Sequence, residues 1–130
     1  MEHPFASLIG LEVDDAEEGA SVCSLVIDPA SHHNPHGVTH GAVLYALADT
    51  GMGAAVYTRL GAGQTCATVE IKFNYFRSVR QGKVRCETAI VNLGRTIASL
   101  ESRLYADGEL VASANGSYAI RNANGRDQGA

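Results

Sequence analysis

Between His32 and Tyr57 the chain reads HHNPHGVTHGAVLYALADTGMGAAVY, a polar loop rich in histidine followed by an almost wholly apolar run. One acid, Asp49, stands in the middle of that run. An ionised carboxylate among apolar neighbours is costly unless it is paired or neutralised, and helix interiors disfavour Asp as well. A group held at that cost in a cleft is a candidate nucleophile or general base, because its surroundings tune its basicity. The alternative is a structural Asp tied to a nearby hydroxyl such as Thr50 or Tyr45. The second candidate is Gly41, in the first turn of the same apolar segment. Backbone N–H groups there lack intrahelical partners, and with the positive end of the helix dipole they polarise a carbonyl oxygen or hold an anion. Without a side chain, Gly41 lets a ligand approach its N–H closely. Eight residues separate it from Asp49, about 12 Å along a helix and about 80° around it. One helix therefore cannot bring both groups to one carbonyl. Two antiparallel copies can, the start of one meeting the middle of the other, and a two-fold dimer supplies that geometry.

The elements that must position these residues follow from pattern. The long helix is predicted over Gly41 to Leu60. Pro35 and Gly37 break the chain before it, Thr39 is a suitable N-cap, and Gly61-Ala62-Gly63 stops it. Ahead of it come a helical turn over Pro4 to Ile9 and strands over Leu11 to Glu17 and Ala20 to Ile27, joined at Glu17 to Gly19. Pro29 to Thr39 reads as loop. After the helix, Thr65 to Tyr75 alternates, with Ala67, Val69, Ile71, Phe73 and Tyr75 on one face and Thr68, Glu70, Lys72 and Asn74 on the other. Strands over Lys83 to Leu93, Thr96 to Ala106 and Leu110 to Ile120 follow, with turns at Gly94-Arg95 and Asp107-Gly108. Asn122 to Ala130 is polar and expected to fray. Two strands, one helix and four strands make an α+β domain, an antiparallel sheet against one helix. The helix is apolar nearly all round, so the sheet must curl around it or a second subunit must cover it.

Composition sets the class. A chain of 130 residues suits one domain, 1–130, with an ordered core over about 4–120. At 45% apolar and 18% charged residues it is an ordinary globular sequence, and a net charge of −4 argues against nucleic-acid binding. Cys23, Cys66 and Cys86 form no CxxC pair and read as buried thiols in a reducing compartment. The N-terminus lacks a basic region and a long apolar stretch, and no run has membrane-span quality, so a soluble cytoplasmic protein is expected.

NPHGVTHGA at Asn34 to Ala42, followed by LADT at Leu47 to Thr50, resembles the active-site segment of the hotdog-fold acyl-CoA thioesterases, closest to the phenylacetate-pathway (PaaI-like) type. The resemblance extends over roughly Pro4 to Ile120 and includes VEIKFNYFRS at Val69 to Ser78 and NLGRT at Asn92 to Thr96. Ala42 departs from it, since the family often carries a second Gly there. The resemblance implies a curled antiparallel sheet around one long helix, with active sites at the interface of dimers usually paired into homotetramers. Carried over by position, Asp49 resembles the catalytic carboxylate and Gly41 the N–H donor to the thioester carbonyl. Asn34 resembles the loop amide that orients the thioester or the carboxylate. Thr68 aligns with a hydroxyl residue that positions water or the acid. The alternation places Thr68 on the face away from the helix, so it needs a bulge or a neighbouring chain to reach Asp49.

Four of the five histidines lie between His32 and His40. His36 and His40 have a metal-compatible spacing only on a helix, and Pro35 and Gly37 argue for loop, so no metal is expected. His40 reads as a helix-start residue that orders the loop or contacts the acyl group, and His32 and His33 read as exposed. Arg77, Arg80 and Arg95 lie in or beside turns, as solvated charges or as partners for coenzyme A phosphates. Coenzyme A would be part of the substrate, and no separate cofactor is expected. No G-x-S-x-G elbow is present. A non-catalytic acyl-CoA-binding module gains little from a buried base. A dehydratase of this fold needs a His paired with an acid, and TGMGAA after Asp49 contains none.

Overall fold

A computed structural model describes residues 2–122 of the chain; the expectation for the polar tail over 123–130 lies outside them. The predicted elements are present with small shifts of boundary. Helix α1 (Pro4–Ile9) leads into the hairpin of β1 (Glu12–Glu17) and β2 (Ala20–Ile27). A short helix α2 (Pro29–His32) interrupts the predicted loop, capped by the Asp28 carboxylate, and the long helix α3 (Gly41–Tyr57) follows. Strands β3 (Gln64–Tyr75), β4 (Gly82–Leu93), β5 (Ile97–Ala106) and β6 (Glu109–Asn122) complete one antiparallel sheet of order β1-β2-β4-β5-β6-β3. The β1–β2 turn holds Glu18 and Gly19 at φ 52° and 81°, the left-handed pair that matches strand twist in a two-residue hairpin. Asp107 and Gly108 do the same between β5 and β6.

Helix α3 starts at Gly41 as expected, but its cap and its far end are corrected. Its N-cap is His40, whose Nδ1 accepts from the Ala42 N–H at 2.9 Å. Thr39 is buried and spends its hydroxyl on the Val79 carbonyl at 2.6 Å, which ties the loop to the segment before β4. The helix ends at Tyr57, short of Leu60, because the Thr58 hydroxyl intervenes: it donates to the Ala55 carbonyl and accepts from the Gly19 N–H, both at 2.7 Å. His32 is also buried, contrary to the sequence expectation. Its Nδ1 accepts from the Asp28 N–H at 2.8 Å, so Nε2 carries the proton and donates to the Ile9 carbonyl at 2.9 Å.

The sheet wraps α3. Leu44, Leu47, Ala48, Gly51, Met52, Ala55 and Val56 form the buried helix face, packed on strand residues such as Leu25, Val84, Leu100 and Leu104. Cys23 and Cys86 are direct cross-strand partners in this core, and burial pushes their thiols up to about 12 and about 11. Cys66 is only half-buried. At Gly51 helix and sheet meet most closely: an added Cβ would lie 2.8 Å from Thr88 Oγ1 and 3.3 Å from Ser21 Oγ. Both hydroxyls are held, Thr88 against Ser102 at 2.6 Å and Ser21 on the Gly51 carbonyl at 2.6 Å. Gly51→Ala gains about 1 kcal/mol of helix propensity and costs about 1–3 kcal/mol of overpacking. We expect net destabilisation of up to about 2 kcal/mol, read as a lower urea midpoint at unchanged slope.

A second stripe of α3, running from the buried Ala46 through Asp49, Thr50, Gly53 and Ala54 to Tyr57, has helical spacing. The edge strands β1 and β3 curl round to flank it and leave it open. Among the described residues no helix is long and apolar enough to cross a membrane.

Candidate active site

Strand β3 does not keep its alternation. Thr68 pairs with Tyr118 on β6, Glu70 pairs with Ser117, and Val69 between them has no partner. This one-residue bulge resets the phase of the strand. Cys66 and Thr68 thereby join Ile71 and Phe73 on the helix-facing side, while Val69, expected in the core, is 58% exposed. Gly116 makes the bulge possible, since a Cβ there would come within 2.9 Å of the Glu70 carbonyl oxygen.

The bulge turns Thr68 onto Asp49. Its hydroxyl donates to Asp49 Oδ1 at 2.8 Å. Tyr118, paired across the strands with Thr68, shares its single O–H between the same Oδ1 and the main-chain carbonyl of Asp49, the latter at 2.6 Å. Neither Thr50 nor Tyr45, the local partners considered from sequence, bonds the carboxylate. Burial and the Asp49 carboxylate hold the Tyr118 phenol far above its ordinary range, so it remains a donor at any working pH. Burial, with help from Asp49, also raises the Cys66 thiol, which is therefore neutral and not a thiolate nucleophile at neutral pH. Oδ2 of Asp49 accepts no bond among the described residues. No side-chain oxygen among them is both buried and unpartnered, so Oδ2 opens onto the adjoining space.

That space is a cavity of about 670 Å³ along the open helix stripe, between Val13 and Ala16 on β1 and Cys66 to Thr68 on β3. Its walls are mainly apolar, with Phe5, Tyr57 and Tyr118 among them. A separate cavity of about 460 Å³ lies over the start of α3 and gathers Asn34, His40, Gly41, Tyr75 and Arg77. The Gly41 N–H has no acceptor among the described residues. Its missing side chain also admits Tyr75, whose ring would lie 3.0 Å from an added Cβ and whose hydroxyl donates to the Gly41 carbonyl at 2.9 Å. Asn34 shapes the loop above: its Oδ1 accepts from the N–H groups of His36 at 2.9 Å and Val38 at 3.4 Å.

The sequence-derived candidates thus fall into two groups within one chain. Asp49 and Thr68 share one cavity; Gly41, Asn34, His40 and Arg77 share the other. Arg77 makes a loose, exposed pair with Glu109 at 3.9 Å. Arg80 is exposed just beyond, and its carbonyl meets His33 Nε2 at 2.7 Å. Arg95 lies past the far end of β4, about 40 Å along that strand from Arg80, so one chain does not bring the three arginines together. Tyr118 was missed from sequence. It looks like one more residue of the last strand, and only the register that sets it opposite Thr68 gives it meaning.

A curled six-stranded sheet around a central helix, with a carboxylate on the open helix face, is the architecture of a hotdog thioester hydrolase. The chain belongs to the thioesterase superfamily, whose family model matches residues 36–113. It is 31% identical to the proofreading thioesterase EntH of Klebsiella pneumoniae over 104 residues, 80% of this chain and 75% of that protein. Among solved structures, a thioesterase from Haemophilus influenzae superposes with a TM-score of 0.87 at 28% identity, covering 94% of this chain and 85% of that one. The phenylacetic acid degradation protein PaaI of Thermus thermophilus superposes at 0.83 with 31% identity, covering 90% and 98%.

Proposed function

We propose that the protein is a cytoplasmic acyl-CoA thioesterase whose two active sites are each assembled from two subunits. The observation that carries this reading is the division of the chemistry between two cavities of one chain: a carboxylate in one, an unpartnered helix-start N–H in the other. Strand β3 pairs with β6 on one side only and is a sheet edge. Thr68 and Tyr75 mark the two cavities, about 23 Å apart along it. Antiparallel pairing of two β3 strands about a two-fold near Lys72 would set the Asp49 cavity of one subunit beside the Gly41 cavity of the other. It would also cover Val69, Tyr75 and Phe76, all more than half exposed in the single chain. A homodimer is the minimum assembly on this reading, with pairing into a homotetramer.

In such a site the acyl group lies on the apolar stripe around Gly53 and Ala54, and its carbonyl oxygen accepts from the partner's Gly41 N–H. Oδ2 of Asp49 then takes a proton from water as the water adds to the carbonyl carbon, or attacks that carbon itself to form an anhydride that water opens. In both routes the helix-start N–H and dipole stabilise the oxyanion, and coenzyme A leaves as a thiolate that takes up a proton. Arg77 and Arg80, beside the helix-start cavity, suit the coenzyme A phosphates; Arg95 can serve only from another subunit. Free thiols in the core suit a reducing cytoplasm.

A panel of aryl-acetyl, short-chain and medium-chain CoA thioesters, followed by thiol release, tests this. Turnover of at least one class is expected. Tight binding of acyl-CoA with no thiol release from any member would instead make the protein a binding module.

A further inference from the structure

We infer that Tyr118 is a positioning residue for Asp49, which with Thr68 occupies Oδ1 so that Oδ2 alone is presented to water or the thioester. The inference rests on the thioesterase reading for its catalytic consequence, and on geometry for the clamp itself. The two hydroxyls arrive from neighbouring strands at a cross-strand pair, Thr68 on β3 and Tyr118 on β6. Both meet the same carboxylate oxygen, and the single O–H of Tyr118 is shared with the main-chain carbonyl of Asp49, so one phenol touches side chain and backbone together. A carboxylate free to rotate about its terminal bond would exchange its two oxygens. Two donors on one oxygen stop that exchange and leave the other aimed at the cavity, the kind of second support that a reacting group needs.

Burial and the neighbouring carboxylate keep the Tyr118 phenol protonated, so its hydroxyl stays available to Asp49 as a donor. The titratable groups facing Asp49 are Tyr118 from β6 and Cys66 from β3, with Tyr57 of α3 and His3 ahead of α1 further around the cavity. β1 contributes only Val13 and Ala16 there. Tyr118 is thus the ionisable side chain in direct contact with the acid.

The decisive variant is Tyr118→Phe, which keeps the buried ring and removes the hydroxyl. We expect kcat to fall about tenfold with KM within about twofold. The carbon-detected NMR resonance of the Asp49 carboxyl should change position at fixed pH with no substrate present, because the oxygen that Tyr118 holds loses a donor. Thr68→Val, removing the other donor, should act in the same sense, and Thr68→Ser should restore wild-type behaviour. If the Asp49 carboxyl resonance and kcat both stay at their wild-type values in Tyr118→Phe and in Thr68→Val, the clamp is wrong. If the resonance changes while the wild-type protein hydrolyses no thioester, the clamp stands and the proposed function falls.

Discussion

Asp49→Asn lowers thioester turnover by about 10²–10⁴-fold and leaves the fold intact, on the mechanism proposed here. The substitution is nearly isosteric. The amide oxygen can still accept from Thr68 and Tyr118, so the two bonds that tie α3 to β3 and β6 persist. What disappears is the lone pair that removes a proton from water or attacks the carbonyl carbon. The loss should therefore fall on kcat, with the thermal midpoint and the affinity for acyl-CoA close to wild type. Turnover within a few-fold of wild type in a folded Asp49→Asn protein would remove Asp49 from the chemistry.

The second large effect concerns the partner half. Gly41→Val would push the Tyr75 ring aside and set a branched side chain over the helix-start N–H. Loss of one oxyanion donor costs about 10²–10³-fold in kcat. Each variant alone is thus nearly inactive, yet co-expressed chains should recover activity. A mixed dimer carries one doubly damaged site and one wholly native site. With random pairing of equal amounts, half the dimers are mixed and each has one working site of two, which predicts about a quarter of wild-type turnover. No recovery from verified mixed dimers would show that both groups act within one chain. That outcome is hard to reconcile with about 12 Å between them along one helix.

The helix and its two special residues were legible because they rest on local rules: an acid in an apolar run, a glycine at a helix start, breakers before it. The strands were legible from alternation, and their turns from Asp-Gly and Glu-Glu-Gly. The helix N-cap was misassigned because Thr39 and His40 are both able acceptors, and the choice depended on Val79, a residue 40 positions away. Alternation put Thr68 on the wrong face for a related reason, and the bulge it would need to reach Asp49 is present. Period-two reading assumes an unbroken strand, and the break at Val69 depends on Gly116 in another strand. Tyr118 was invisible on the same account. The separation of Asp49 from Gly41, by contrast, followed from helix geometry alone, because rise per residue is a property of the backbone and not of context.

A strand that counts in twos cannot change the facing of one residue by exchanging its side chain. Placing a hydroxyl at position 68 of a regular β3 would aim it at solvent, whichever residue carried it. The contact with Asp49 exists because the strand holds one residue more than its pairing with β6 requires, and because β6 offers a position bare enough to accommodate it. The site is therefore inherited as a length as much as a set of letters. A chain that kept Asp49, Thr68 and Tyr118 but lost the extra residue would keep every candidate group and lose their meeting.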